Sequence, residues 1–301
     1  MSIDLNGRVA IVTGAGGGLG RQYALLLASR GAQVVVNDLG GGRDGTGASS
    51  EAAQGVVDEI MAAGGTAIAS GASVTDFEQV TDMVAQVQDL WGRVDIVVNN
   101  AGILRDRTFA KLDLADFRAV VDVHLMGAVH CSKAVWDIMK AQNHGRIVFT
   151  TSSSGLWGNF GQSAYAAAKL GLVGLMNTLR LEGERYGIRV NSISPSAATR
   201  MTADVLQEEY LSRLDPELVA PAVLALCADD APNGAILCAG AGAFSTAVIA
   251  KSRGMAFDGA PDAAERILQN LEEIRDRKGD SVLMEGPQQA LVESGFITLP
   301  V

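Results

Sequence analysis

The chain has little cysteine, little proline and few aromatic side chains: 3 Cys, 7 Pro and 5% aromatics among 301 residues. Cys131, Cys227 and Cys238 lie in apolar surroundings without metal-ligand spacing. An odd, sparse set excludes a disulfide framework, and the three read as buried thiols in a reducing compartment, with no metal site. Basic residues number 24 against 34 acidic ones, a net charge of −10. A chain this acidic does not coat nucleic acid or anionic membranes through its global field, although a local basic patch remains open. No uninterrupted apolar run approaches the roughly 20 residues of a membrane span. The opening MSIDLNGRVAIVTG lacks the basic region of a signal peptide, and Leu-Pro-Val at the end is no peroxisomal tripeptide. The expectation is a cytoplasmic protein with neither nucleic acid nor membrane as partner.

What is abundant is small and apolar: 35 Gly and 48% hydrophobic residues. β-branched apolar runs occur at Val9–Thr13, Val34–Asn37, Val94–Val98, Arg146–Thr150 and Ile188–Ile193, with shorter ones at Thr66–Ala69 and Ile236–Cys238. They show little alternation, which implies strands buried on both faces, as in a parallel sheet. Helical stretches lie between or after them at Leu19–Ser29, Ser50–Ala63, Asp76–Leu90, Leu114–Ala141, Ala164–Tyr186 and Pro216–Ala228. This alternation predicts an α/β fold: a Rossmann-type, doubly wound parallel sheet in three α/β/α layers. Gly40–Gly47 reads as a surface loop. Residues 1–242 form the predicted dinucleotide-binding domain with its catalytic site and substrate loop. Residues 243–301 form a C-terminal helical appendage of the same domain, with one amphipathic helix near Ala263–Lys278 and no further strand.

The first predicted strand runs into Thr13-Gly14-Ala15-Gly16-Gly17-Gly18-Leu19-Gly20 and then a helix start. Glycines there allow a tight turn and let a pyrophosphate approach free N–H groups at the helix N-terminus. Asp38 ends the second strand, about 20 residues on, where a carboxylate accepts hydrogen bonds from ribose hydroxyls and repels a 2′-phosphate. With no basic residue in the glycine turn, NAD is the expected cofactor rather than NADP. Tyr165-Ala-Ala-Ala-Lys169 places a phenol and an ammonium on one helical face. A free tyrosine, with a pKa of about 10, is a poor base at neutral pH. A neighbouring cation and a positive nicotinamide ring would favour its ionised form. The hydroxyl tract Thr150–Ser154 ends a strand and could polarise a substrate oxygen or simply cap a helix.

TGxxxGxG at Thr13–Gly20, Asn99-Asn100-Ala101-Gly102, a serine thirteen residues before a tyrosine, and YxxxK together resemble the short-chain dehydrogenases/reductases, over about residues 5–240. The resemblance implies Ser152, Tyr165 and Lys169 as catalytic residues. It implies cofactor contacts by Gly14, Gly18, Leu19, Gly20, Asp38, Ser73, Val74, Asn100, Gly102, Tyr165 and Lys169, and by Pro195, Ala197 and Thr199 in a nicotinamide loop. Two departures stand out: Pro195-Ser196 replaces the usual Pro-Gly, and His124 stands where a relay asparagine is common. VNDLGG, NNAGILRDRTFA and GNFGQSAYAAAKLGLVGL, continued by Arg200-Met201-Thr202, look like the (3R)-hydroxyacyl-CoA dehydrogenase unit of the type 2 multifunctional enzymes, which shares the histidine. That likeness implies NAD-dependent oxidation of a (3R)-3-hydroxyacyl-CoA to the 3-ketoacyl-CoA. A 17β-hydroxysteroid dehydrogenase or a 3-ketoacyl reductase is the alternative, and a non-catalytic NAD-binding regulator is a remote one. Arg105, Arg107 and Lys111 could meet CoA phosphates. Met201, Leu206, Tyr210 and Leu211 would fold over the substrate's apolar part. The two long helices, with Gly171 and Gly174, would pair in a homodimer.

Overall fold

The computed structural model describes residues 2–198, 209, 213–257 and 259–296. The segment expected to close over substrate, with Thr199 and Arg200, falls outside them, except for Glu209, Arg213 and Leu214. Two compact units follow one another in the chain, one up to Thr246 and one from Ala247.

The first unit is built on seven parallel strands, β1 Val9–Thr13, β2 Gln33–Asn37, β3 Thr66–Ser70, β4 Ile96–Asn99, β5 Gly145–Thr150, β6 Ile188–Ser196 and β7 Ile236–Gly240. The order across the sheet is β3-β2-β1-β4-β5-β6-β7, with β8 Ala243–Ala247 beside β7. β1, β4 and β5 are buried along their whole length, Arg146 in β5 because its guanidinium donates to the carbonyls of Gly145, Gly187, Ala228 and Asp229. Helices α1 Gly18–Ser29, α2 Glu51–Ala62 and α8 Ala220–Cys227 pack with one another on one face. Helices α3 Phe77–Trp91, α5 Gly127–Gln142 and α7 Ser163–Gly183, with α4 Leu114–Val121, cover the other. A short α6, Ser153–Trp157, lies against α7. Strand order reverses between β1 and β4, and the carboxyl ends there open the crevice in which such sheets hold ligands.

Two elements and one cysteine depart from the sequence reading. The stretch expected as one helix over Leu114–Ala141 is interrupted at Asp122–Met126 by a single wider π-type turn, a feature that often marks a functional position. β8 exists although its residues show no burial pattern, because Ala241 and Gly242 adopt φ of 51° and 75° and turn the chain back beside β7. Cys238 is half-buried, unlike Cys131 and Cys227, whose burial pushes their thiols up to about 12.

In the second unit the expected amphipathic helix breaks at Asn270 into α9 Ala263–Gln269 and α10 Leu271–Ile274. α11 Pro287–Glu293 and a one-pair bridge between Lys251 and Ser281 were not foreseen. No described residue of this unit is buried, and Leu268 and Phe296 are 75% and 82% exposed. Among the described residues no helix is long and apolar enough to cross a membrane, and no cluster could hold a metal ion.

At the opposite, amino-terminal edge of the sheet, Asp95 is fully buried. It accepts hydrogen bonds from Arg93 at 2.6 and 2.7 Å, from Val9 N at 2.9 Å and from Arg8 at 3.3 Å. Burial pushes this carboxyl up, but the Arg93 and Val9 hydrogen bonds outweigh it and hold the group below the usual range. Burial, helped by the charges of Arg146 and Arg8, lowers His144 beside it to about 4. Both groups bind fewer protons folded than unfolded. The stability they contribute is therefore complete above the unfolded histidine value of about 6.5 and is lost as pH falls through about 4. The urea midpoint should drop from pH 6.5 to pH 4, and His144→Gln should flatten that slope. Asp95→Ala should cost about 2–3 kcal/mol at pH 7, because it strands the Val9 amide and takes both acceptors from Arg93, while Arg8 keeps Asp229.

Candidate active site

The sheet's crevice holds a cavity of about 350 Å³. Gly14, Gly18, Leu19, Asp38, Ser73, Val74, Asn100 and Gly102, all expected to touch a cofactor, line it. Gly14 has φ 64°, and a Cβ there would lie 2.8 Å from Ala101 Cα, so β1 and β4 meet too closely for any side chain. Gly17, at the start of α1, carries no side-chain cap, which leaves the helix's first N–H groups available to an anion. Asp38 Oδ2 accepts from Gly16 N at 2.8 Å and Oδ1 from Gly40 N at 2.7 Å. A carboxylate has about four lone-pair positions, so acceptor capacity remains for ribose hydroxyls. The cradle therefore fits a dinucleotide.

Gly20 departs from expectation. It does not line the cavity; a Cβ there would lie 2.2 Å from Gly14 O, so its role is close packing of α1 on the turn. Tyr165, Lys169, Pro195 and Ala197 also lie outside the cavity lining, with Pro195 in register with Ala239 and Ala197 buried. Asn100 braces the turn from beneath: its Nδ2 donates to Thr13 O at 3.0 Å and Gly14 O at 3.1 Å. The loop read as plain surface, Gly40–Gly47, contributes Gly41, Gly42, Arg43 and Gly45 to the cavity wall.

At the neighbouring strand ends, three predicted residues converge. Ser152 is buried and caps α6, accepting from Ser154 N at 3.1 Å. Its side chain also hydrogen-bonds the Tyr165 phenol. The capping reading of the hydroxyl tract therefore holds at Ser152, which also faces the Tyr165 phenol. Ser153 is exposed, and Ser154 Oγ instead donates to Gln162 Oε1 at 2.7 Å. Lys169, one turn beyond Tyr165, is buried; its Nζ donates to Thr150 O at 2.6 Å and sits 5.4 Å from the Tyr165 ring centroid. Thr151 Oγ1 donates to Lys169 O at 2.7 Å, and a Cβ on Gly155 would lie 2.9 Å from Lys169 Cβ, so α6 and α7 press together at the lysine.

The electrostatics separate what the lysine supplies from what a positive nicotinamide ring would add. Burial raises the Tyr165 phenol; the Ser152 hydrogen bond offsets part of this, and the Asp106 charge adds to it. Burial also lowers Lys169 to about 7. The protein alone therefore holds Tyr165 as a neutral phenol, and the neighbouring lysine does not by itself make it acidic.

Two features escaped the sequence. Gln162, at the N-terminus of α7, donates to Asp106 Oδ2 at 2.7 Å and accepts from Ser154 and from Asn159 Nδ2 at 3.0 Å, which joins the segment after β4 to the start of the helix bearing Tyr165. No local spacing signals a pairing across 56 residues. The second is the place of His124 in the π-type turn. Its ring lies edge-on to Tyr165, centroids 5.1 Å apart at 90°, with Nε2 at 2.8 Å from Ile103 O. Burial, then the Lys169 charge, holds its pKa well below the usual value, so the ring is neutral. Gly102 makes room for it: a Cβ there would lie 2.2 Å from His124 Cε1. Arg105, expected to face CoA, is committed elsewhere, to Asp44 O at 3.0 Å and Asp116 at 2.9 Å.

A parallel sheet with a glycine turn at its switch point, next to a buried serine, tyrosine and lysine, is the arrangement of an oxidoreductase acting on CH–OH groups. The family described as short chain dehydrogenase matches residues 8–210, and the chain belongs to it. A short-chain type dehydrogenase/reductase of Mycobacterium tuberculosis is 49% identical over 276 residues, 91% of this chain and 96% of that protein. The peroxisomal multifunctional enzyme type 2 of Drosophila melanogaster is 52% identical over 238 residues, 79% of this chain but 39% of the relative. The full-length structure of that enzyme matches with a TM-score of 0.78 at 37% identity, covering 98% of this chain and 49% of the other. A 7α-hydroxysteroid dehydrogenase complexed with NADH and 7-oxo glycochenodeoxycholic acid matches with a TM-score of 0.72 at 31% identity, covering 79% and 95%. This chain thus spans no more than about half of the multifunctional enzyme's length.

The buried lysine gives a stability test. An unfolded lysine titrates near 10.4, so its charged form is penalised in the fold. The penalty is full below the folded value of about 7 and vanishes as pH rises past the unfolded one. Lys169→Met should stabilise the cofactor-free protein by about 1–2 kcal/mol at pH 7. In urea titrations the gain should shrink toward pH 10; a pH-independent difference would contradict the cause given.

Proposed function

We propose that this protein oxidises a (3R)-3-hydroxyacyl-CoA to the 3-ketoacyl-CoA with NAD as oxidant. The observation that carries this reading is the convergence of Ser152, Tyr165 and Lys169 beside the glycine-lined cavity, to which the His124 ring links them by packing between Gly102 and Tyr165. Bound NAD supplies the acceptor for the carbinol hydrogen and a positive charge near the phenol. Asp38 and the first N–H groups of α1 hold its adenosine ribose and pyrophosphate. Ser152 donates a hydrogen bond to the substrate oxygen, and Tyr165 takes the hydroxyl proton. Lys169, held on the Thr150 carbonyl, orients the ribose and, once charged, favours the phenolate that Asp106 opposes. His124 stays neutral and keeps the Tyr165 ring in place.

The CoA part of the proposal rests on the likeness to the multifunctional enzymes. With Arg105 committed, the exposed Arg107 and Lys111 are the cations of this segment left to meet CoA phosphates. The likeness to the hydroxysteroid dehydrogenase supports a second reading, a steroid alcohol, alone or as the CoA thioester of a steroid side chain. The same residues run in reverse would reduce a 3-ketoacyl group. A homodimer through α4–α5 and α7 is proposed as well. On α7, Leu170, Gly174 and Leu181 are exposed at helical spacing, and a Cβ at Gly174 would meet nothing within 4 Å.

Tyr165→Phe should abolish turnover, at least about 10³-fold, while NADH binding measured by calorimetry stays within about twofold. Loss of both would point to misfolding; retained turnover would defeat the reading. A panel of 3-hydroxyacyl-CoA and hydroxysteroid substrates decides the class. With the CoA substrates, Arg107→Gln with Lys111→Gln should raise KM and leave kcat nearly unchanged.

Cofactor choice has its own test. Asp38→Ala should weaken NAD binding and reduce discrimination against NADP by roughly 10-fold or more, since it removes the acceptor and the repulsion together. An unchanged preference for one cofactor would overturn the assignment to Asp38.

A further inference from the structure

The loop between β2 and α2 is closed at its base, where Ser49 N donates to Leu39 O at 3.0 Å. Gly40 permits this closure: it has φ 72°, and a Cβ there would lie 1.8 Å from Ser49 O. Inside the loop Gly42 N donates to Thr46 O at 2.7 Å, Gly45 N to Gly42 O at 3.0 Å, and Asp44 Oδ1 accepts from Thr46 Oγ1 at 2.8 Å. The result is a compact loop of the omega kind rather than a loose connection. One flank of it faces the cavity through Gly41, Gly42, Arg43 and Gly45.

What holds this loop over the cavity is the segment after β4. Leu104 N donates to Arg43 O at 3.0 Å, and Arg105 Nε donates to Asp44 O at 3.0 Å. A Cβ at Gly45 would lie 3.0 Å from Ile103 Cγ2. The guanidinium fork uses its other arm on Asp116 in α4, Nη1 to Oδ1 at 2.9 Å. A planar fork can bind a carbonyl and a carboxylate at once with fixed geometry, which an ammonium cannot. α4 continues directly into the turn that sets His124 against Tyr165.

We propose that Arg105 is a positioning residue for the dinucleotide: it pins the Gly40–Gly47 loop as a strap over the adenosine side of the cavity and ties that strap to α4. This rests on the dinucleotide reading given above. It moves Arg105 from the substrate's phosphates to the cofactor's enclosure. Without the fork, the strap keeps its internal hydrogen bonds and its bond to Leu104 but is free to swing away, so bound dinucleotide escapes faster. The reacting groups are untouched.

The test uses the full chain with Arg105→Ala, Arg105→Lys and Asp116→Asn. Direct calorimetry should show NADH binding weakened about 10-fold in Arg105→Ala and less in Arg105→Lys and Asp116→Asn. At saturating cofactor, kcat and the KM of the alcohol should stay within about threefold of wild type. Arg43 gives an independent readout, since trypsin cleaves after arginine in accessible loops. Cleavage after Arg43, followed by mass spectrometry without cofactor, should be faster in Arg105→Ala than in wild type, and NADH should slow it in both. Unchanged NADH affinity with unchanged cleavage would overturn the strap, as would a rise in the KM of a CoA substrate alone. Failure of the wild-type protein to bind any dinucleotide would instead overturn the reading on which the strap rests. If Arg105→Ala does not fold, Arg105→Lys and Asp116→Asn decide by the same two measurements.

Discussion

The structure depends on one costly arrangement: an ammonium and a phenol kept dry, side by side, at the carboxyl end of a parallel sheet. Water is excluded from Lys169, and only the Thr150 carbonyl receives its Nζ donor among the hydrogen bonds of the described residues. Burial drives this group and Tyr165 toward their neutral forms. A neutral pair is inert as base catalysis, so the arrangement is primed rather than active. A charge arriving in the adjoining cavity shifts the balance, because a low-dielectric site amplifies any new Coulomb interaction. Under the proposed function, desolvation therefore couples proton transfer to cofactor occupancy.

Keeping two such groups in register requires neighbours that cannot yield. Gly155 lets α6 press on the lysine's helix, Gly102 admits the His124 ring, and Gly14 brings β1 against β4. Each is a place where a methyl group would collide with backbone or with an aromatic ring. The abundance of glycine, which composition alone could take for looseness, is in part a record of close approaches. Asn100 and Thr13 then hold the two strand ends together, with Thr13 Oγ1 accepting from the amides of Asn100 and Ala101 at 3.0 and 3.1 Å.

How much of this could be read from the chain divides by range. The strands were legible because burial on both faces leaves unbroken β-branched runs, and Tyr165 with Lys169 because helical spacing fixes their common face. Ser152 could be chosen from its neighbours by its distance to the tyrosine, and the structure gives it the bond to Tyr165. The links across long loops were not legible. Gln162 to Asp106, Arg105 to Asp44 and Gly102 to His124 join residues tens of positions apart, and neither partner is unusual in its local context. β8 was missed because it is exposed on both faces, leaving no period to detect, and the helix near residue 270 was drawn as one because its apolar spacing continues across the break at Asn270.

The segment after β4 shows how these links combine. Within four residues, Ile103 holds the His124 ring, Leu104 and Arg105 hold the glycine-rich loop, and Asp106 holds Gln162 at the head of the tyrosine's helix. Backbone groups supply two of these ties and side chains the rest, so the segment cannot shift toward one partner without loosening another. Asp106 carries a cost in this scheme, since its charge disfavours ionisation of the phenol. The same carboxylate, bonded through Gln162 to Ser154, fixes the amide of Gln162 in one orientation, because only the Nε2 end can donate to a carboxylate. A charge that opposes the reactive state of the tyrosine therefore also fixes the helix that presents it. The four residues thus tie the wall of the glycine-lined cavity to the groups packed around Tyr165.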